Sequence, residues 1–237
     1  GWEMSENLIR LENVHKDYGG KQVLKSINLS VRDKEFVTLL GPSGCGKTTT
    51  LQLINRLIHP TSGKIYVDGK DISTVDPVQL RRSIGYVVQD GGLFPHLTVA
   101  ENIFISRYKK KGIFLNWPKM YNEAEKLLRD LGSNIDPLNE MGALTVAEQQ
   151  VVEIAKAISA NAEILIMDEP TAALSERECE QLYKIAERLR DNGTSIIFIS
   201  HRIHEILQIC EKYTVMRNGV IVGTSPVTKE TTSREIV

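Results

Sequence analysis

Phe36-Val37-Thr38-Leu39-Leu40-Gly41-Pro42-Ser43-Gly44-Cys45-Gly46-Lys47-Thr48-Thr49 is the stretch that decides the fold. Its first five residues read as a short buried strand, its three glycines as a turn, and the chain from Lys47 onward as a helix reaching Leu57. A glycine-rich turn between a buried strand and a helix can wrap an anion, with loop N–H groups and the helix N-terminus facing it. Lys47 can reach the β and γ oxygens of a nucleotide, and the Thr48 hydroxyl can be offered to Mg²⁺. Gly41, Pro42, Ser43, Gly44, Cys45, Gly46, Lys47, Thr48 and Thr49 are therefore expected to bind ATP, with Mg²⁺. Cys45 lies inside this loop, so a bulky thiol reagent there is expected to block nucleotide.

Outward from the loop, Ile164-Leu165-Ile166-Met167 is a second apolar strand that ends in Asp168-Glu169. A strand buried in a parallel sheet presents its C-terminal end at the ligand crevice. Asp168 is expected beside the loop, holding Mg²⁺ through water. Glu169, on the other side of the strand, is placed to polarise an attacking water. Two carboxylates alone would read as a solvated strand end; with the loop present they read as catalytic.

The rest of the composition bounds the problem. Of 237 residues, 41% are apolar and 25% charged, ordinary values for a globular protein. A formal charge of −1 gives no global field for nucleic acid or an anionic membrane, so nucleic acid is not expected as a partner. The apolar runs fall far short of the ~20 residues that cross a bilayer. Cys45, Cys179 and Cys210 show no CxxC or zinc spacing, which suits free thiols in the cytoplasm. Gly1-Trp2-Glu3 before Met4 reads as a cloning remnant.

Alternation at Leu8–Val14 and Val23–Val31 around Gly19-Gly20 predicts antiparallel strands. Phe36–Leu40, Ile84–Val88, Ile164–Met167 and Ile196–Ser200 are expected as core strands of a mostly parallel sheet covered by helices. Residues 98–160 read as a helical lobe without a strand, including a helix capped by Asn116 and ended by Gly132. Lys109-Lys110-Lys111 reads as a solvated loop. The fold class is thus an α/β P-loop NTPase with an antiparallel β subdomain: one domain over 4–237, with a core of 4–97 and 161–237.

With these motifs in place, residues 7 to about 225 resemble the nucleotide-binding domain of ABC transporters. The resemblance implies ATP hydrolysis, with Lys47, Glu169 and His201 as catalytic residues. His201, just after Ile196–Ser200, matches the switch histidine that contacts the γ-phosphate. Tyr18, before a Gly-Gly turn, matches the aromatic that stacks on adenine. Gln89 matches the Q-loop glutamine, so Thr48, Gln89 and Asp168 form the implied Mg²⁺ set. A homodimer or a second ATPase domain, and a membrane permease, are the implied partners, with the chain peripheral to the inner face of the membrane.

Leu144-Thr145-Val146-Ala147-Glu148-Gln149-Gln150 departs from the family's usual Leu-Ser-Gly-Gly-Gln. In the family this loop meets the γ-phosphate held by the other protomer, where Cβ atoms on Val146 and Ala147 hinder close approach. Thr145 and Glu148 have capping-box spacing, which places a carboxylate near that phosphate. Ala172-Ala173-Leu174-Ser175 matches the D-loop, with serine where aspartate is usual. Residues 98–225 resemble the first half of tandem ATPases of monosaccharide importers. Residues 36–97 resemble single-domain ATPases of betaine and osmoprotectant importers, which suggests a chimera joined near residues 95–103. The alternatives are a recombined module without transport partner or turnover, and an ABC ATPase acting on nucleic acid.

Overall fold

The structure, a computed structural model, describes residues 7–87, 92–105, 110–111 and 114–232. β1 (Asn7–Tyr18) and β2 (Lys21–Arg32) form an antiparallel hairpin about Gly19-Gly20. β3 (Phe36–Leu40) leads through the glycine loop into α1 (Lys47–Ile54). The helix stops three residues before the expected Leu57. Arg56 has left-handed backbone (φ 51°), and its guanidinium donates to the carbonyls of Val75 and Ser73, so the chain turns away there.

β4 (Ser62–Val67) and β5 (Lys70–Asp71) complete a four-stranded antiparallel sheet of order β2-β1-β4-β5. α2 (Pro77–Ser83) begins at an Asp76 cap whose Oδ1 accepts from Val78 N and Gln79 N, both at 2.9 Å. It feeds β6 (Ile84–Val87); Val88 and Gln89 lie outside the described residues.

The lobe after Thr98 contains α3 (Val99–Phe104), α4 (Trp117–Asp130) and α5 (Val146–Ser159). Asn116 caps α4 as expected, accepting from Lys119 N at 3.2 Å, and Gly132 after it has φ 78°. The expectation of a lobe without strands is corrected. β7 (Lys110–Lys111) and β8 (Phe114–Leu115) form a short antiparallel pair, too brief for alternation to show in the sequence. Two of the lysines read as a solvated loop belong to it.

β9 (Ile164–Asp168), α6 (Glu176–Asp191), β10 (Ser195–Ser200), α7 (Ile203–Ile209), β11 (Lys212–Arg217) and β12 (Val220–Pro226) finish the chain. The main sheet runs β12-β11-β3-β10-β9-β6, parallel except for β12. Alternate residues of its strands enter two separate cores. Val37, Leu39, Ile166, Ile197 and Ile199 pack with α1 and the antiparallel sheet. Phe36, Leu165, Met167, Ile196 and Phe198 pack with the helical lobe, α6 and α7. Coverage of both faces is why these strands read as continuous apolar runs. Phe198 is fully buried, and truncating such a side chain to alanine costs about 3–5 kcal/mol.

Candidate nucleotide site

Strand register brings the scattered motifs together. Ser200 pairs with Leu40 across β10 and β3, and Ile199 pairs with Asp168 across β10 and β9. The chain therefore leaves β3 at Gly41, β9 at Glu169 and β10 at His201 on one edge of the sheet, where open α/β sheets bind ligands.

The loop itself is tightly constrained. A Cβ on Gly41 would stand 2.1 Å from the Met216 carbonyl oxygen, and Gly46 has φ 106° with Leu24 packed against it, so neither position accepts a side chain. Gly219 N donates to Cys45 O at 3.1 Å, while Lys25 N donates to Gly219 O at 2.7 Å. These two bonds clamp the loop between β2 and the β11–β12 turn. Thr50 Oγ1 donates to Gly46 O at 2.9 Å at the start of α1.

Lys47 is only 6% exposed. Its ammonium donates to Gly41 O at 2.6 Å and Pro42 O at 3.1 Å, bridging the loop's own carbonyls. Ser43, Gly44, Lys47, Thr48 and Thr49 line an open cleft of about 640 Å³ with Glu169 on its wall. Lys21, Lys25 and Asn218 line it too, and sequence reasoning missed all three. Their only signal was position, on the strand and turn that clamp the loop.

Cys45 corrects an expectation. Its side chain is 3% exposed and packs with the core beneath the loop, so its thiol does not face the cleft. Tyr18 stands 48% exposed at the end of β1, with the Lys16 ammonium 4.7 Å from its ring centroid. It does not line the P-loop cleft.

Asp168 is partly buried beside Thr48, and Tyr86 OH donates to its Oδ2 at 3.5 Å. Burial pushes the Asp168 carboxyl above its ordinary value. The neighbouring Thr48 hydroxyl opposes this, the Glu169 charge adds to it, and the Tyr86 bond and Lys47 charge oppose it. Tyr86 is pushed up in turn by its burial and by the Asp168 charge. Sequence reasoning missed Tyr86 as a site residue, although its place on β6, beside β9, puts it there.

Glu169 follows β9 with φ 48°, its N–H donating to Ile199 O at 3.1 Å. A non-glycine residue in that region is strained backbone, which clusters at functional sites. The turn carries its Oε1 to 3.7 Å from His201 Nδ1, with the imidazole 58% exposed.

Leu144, Thr145, Val146, Ala147 and Glu148 lie apart from this cleft. Ala147 and Glu148 line a different cavity of about 360 Å³ against α6, which shares no residue with the P-loop cleft. The Glu148 carboxylate is folded back. Its Oε2 accepts from Thr145 N at 2.8 Å and Thr145 Oγ1 at 3.0 Å, completing a capping box at the start of α5. Ser175 caps α6 in the same way with Glu178.

The family described as ABC transporter matches residues 24–172. The chain is 41% identical over 223 residues to "Ribose import ATP-binding protein RbsA 3" of Rubrobacter xylanophilus, covering 94% of this chain and 45% of that protein. It is 38% identical over 221 residues to "Galactose/methyl galactoside import ATP-binding protein MglA" of Clostridium perfringens, covering 93% and 43%. The chain thus spans less than half the length of these relatives.

Among solved structures, it superposes with TM-score 0.81 and 28% identity on the dimeric ATP-binding cassette MJ0796 bound to ADP and Pi, covering 93% of this chain and 99% of that one. CbiO1 of Clostridium perfringens, part of the ABC transporter complex cbiONQ, gives TM-score 0.86 at 26% identity, covering 98% and 93%. The matched stretch runs from β2 to the turn after β9 and so holds both the loop and the paired carboxylates; on that footing the chain belongs to the ABC transporter family.

Proposed function

We propose that this chain binds Mg-ATP and hydrolyses it to ADP and phosphate, as the energising subunit of an importer that dimerises around the nucleotide. One observation carries the reading: the Thr48 and Asp168 side chains and the Glu169–His201 pair meet at the strand ends beside the P-loop. Backbone N–H groups of residues 43–48 bind phosphate oxygens, and Lys47 neutralises them. Tyr18 offers its ring to the base. Glu169 accepts a proton from the attacking water, and His201 orients the γ-phosphate and the Glu169 carboxylate.

The donor set suits Mg²⁺. Thr48 and Asp168 offer hard oxygens, the donor type this cation prefers. Thr48 and Asp168 would hold it, with Gln89 as a third ligand outside the described residues. Bound there, it would draw charge from the β and γ oxygens.

The core and helical lobe divide at 98 and 160 in this reading. Residues 144–148 meet the nucleotide of a second copy or a second ATPase domain, with Glu148 kept in its capping box. The relatives named for ribose and galactose import point to a monosaccharide permease as partner, with this chain peripheral to the inner face of the membrane. No helix among the described residues is long and apolar enough to cross a membrane. A join near residues 95–103, with a betaine-importer-like part before it, is a finer reading that rests on local sequence alone.

Phosphate release from excess Mg-ATP tests the function. Wild type turns over and Glu169→Gln does not. No release above buffer by wild type would overturn the hydrolytic reading and favour a nucleotide-binding module.

A further inference from the structure

Glu205 in α7 is 0% exposed, and the hydrolytic role above makes no use of it. Its Oε2 accepts a short hydrogen bond from Ser200 Oγ. Ser200 Oγ in turn accepts from Arg202 N at 2.9 Å, and Glu205 N donates to Arg202 O at 3.2 Å. The other oxygen, Oε1, has no hydrogen-bond partner, with the Arg202 guanidinium 3.7 Å away.

These contacts enclose one residue. His201 lies between Ser200 and Arg202, both tied inward to Glu205, and its own ring projects outward to Glu169. A turn held on both sides leaves the ring between them little freedom. The same carboxylate adjoins α6, where burial and then the Glu205 charge push the Cys179 thiol and the Tyr183 hydroxyl up. That helix is capped by Ser175, the last residue of the stretch that matches the D-loop. A buried carboxylate with one oxygen lacking a hydrogen bond is a poor packing element, since an apolar residue of similar volume often does as well or better. Its contacts, not its bulk, are what distinguish it.

We infer that Glu205 is a positioning residue: through Ser200 Oγ it fixes the Ser200–Arg202 turn and so aims the His201 imidazole at Glu169. The rate readout of this inference rests on the proposed ATPase reading; a second readout does not.

Ser200→Ala removes the link while leaving the carboxylate, and Glu205→Gln keeps an oxygen able to accept from Ser200. In steady-state hydrolysis, Ser200→Ala should lower kcat by about 10- to 100-fold with nucleotide affinity within about threefold, the loss expected of ~1 Å misplacement at a reacting centre. Glu205→Gln should restore most of the rate.

In nucleotide-free protein, the His201 Cε1 proton resonance, identified by its disappearance in His201→Gln, should move in Ser200→Ala and stay near its wild-type position in Glu205→Gln. Folding is checked by circular dichroism, with Ser200→Thr, which keeps the hydroxyl, as a second variant if Ser200→Ala does not fold; Ser200→Thr should then behave as wild type. A folded Ser200→Ala with unchanged kcat, an unmoved His201 resonance, or an equal loss of nucleotide affinity overturns the inference, as does a loss in Ser200→Thr. If wild type fails to hydrolyse ATP, the functional reading falls and the resonance decides this one alone.

Discussion

Replacing Lys47 separates charge from packing, because the structure gives its side chain both. The ammonium bridges Gly41 O and Pro42 O, while the side chain is 6% exposed. Lys47→Met keeps an unbranched stem of similar length and removes only the ammonium.

A hydrogen bond to a charged group contributes about 1.5–3 kcal/mol, and 1.4 kcal/mol is tenfold in an equilibrium constant, so losing one phosphate contact should weaken Mg-ATP binding by about 10- to 150-fold. Both Lys47→Met and Lys47→Ala should show this by calorimetry. They should differ in stability, since alanine leaves a void under the loop where methionine does not, and Lys47→Ala should melt below Lys47→Met. Mg-ATP affinity of Lys47→Met within about threefold of wild type would refute the phosphate role; the same change smaller than 0.7 kcal/mol is too little for a charge-assisted bond.

Three further outcomes follow from the geometry. The folded-state pKa of Asp168 lies above its unfolded value, so the folded chain holds the extra proton between the two and stability falls as pH rises through that window. Asp168→Asn should therefore melt higher than wild type near pH 7, lose that advantage as pH falls below the window, and lose Mg²⁺-dependent nucleotide retention; an equal or lower melting temperature at pH 7 would count against the burial argument. Cys45, packed under the loop, should react with a bulky maleimide in nucleotide-free native protein at least about 100-fold more slowly than in urea, since local opening must come first; rapid native labelling would mean the loop is open. Val146→Gly with Ala147→Gly, in a Glu169→Gln background that retains ATP, should increase the Mg-ATP-dependent dimer seen by light scattering, although each glycine inside α5 costs up to ~1 kcal/mol of helix stability; an unchanged monomeric profile would sink the steric reading of these two positions.

The P-loop and the paired carboxylates were legible in the sequence because their chemistry is local: Gly41 to Thr49 and Ile164 to Glu169 each carry strand, turn and functional group in consecutive residues. The capping box of Thr145 and Glu148 was legible for the same reason, a fixed spacing within one helical turn. The alternation of apolar residues also sufficed for the β1–β2 hairpin and the doubly covered sheet. What depended on distant residues was not legible. Cys45 and Lys47 sit two apart in one loop, yet only the packing of β2 and the β11–β12 turn against that loop decides that the thiol is buried and the ammonium is turned onto carbonyls. Helix α1 ends at Ile54 because Arg56 reaches carbonyls some twenty residues further on. Tyr86 reaches Asp168 across a strand pair 82 residues apart, and Glu169 reaches His201 only because its N–H is bonded to Ile199. Parallel pairing joins segments far apart in the chain, and a sequence records each segment's character but not which strand lies beside it; the register of β3, β9 and β10 is what turns three separate motifs into one site.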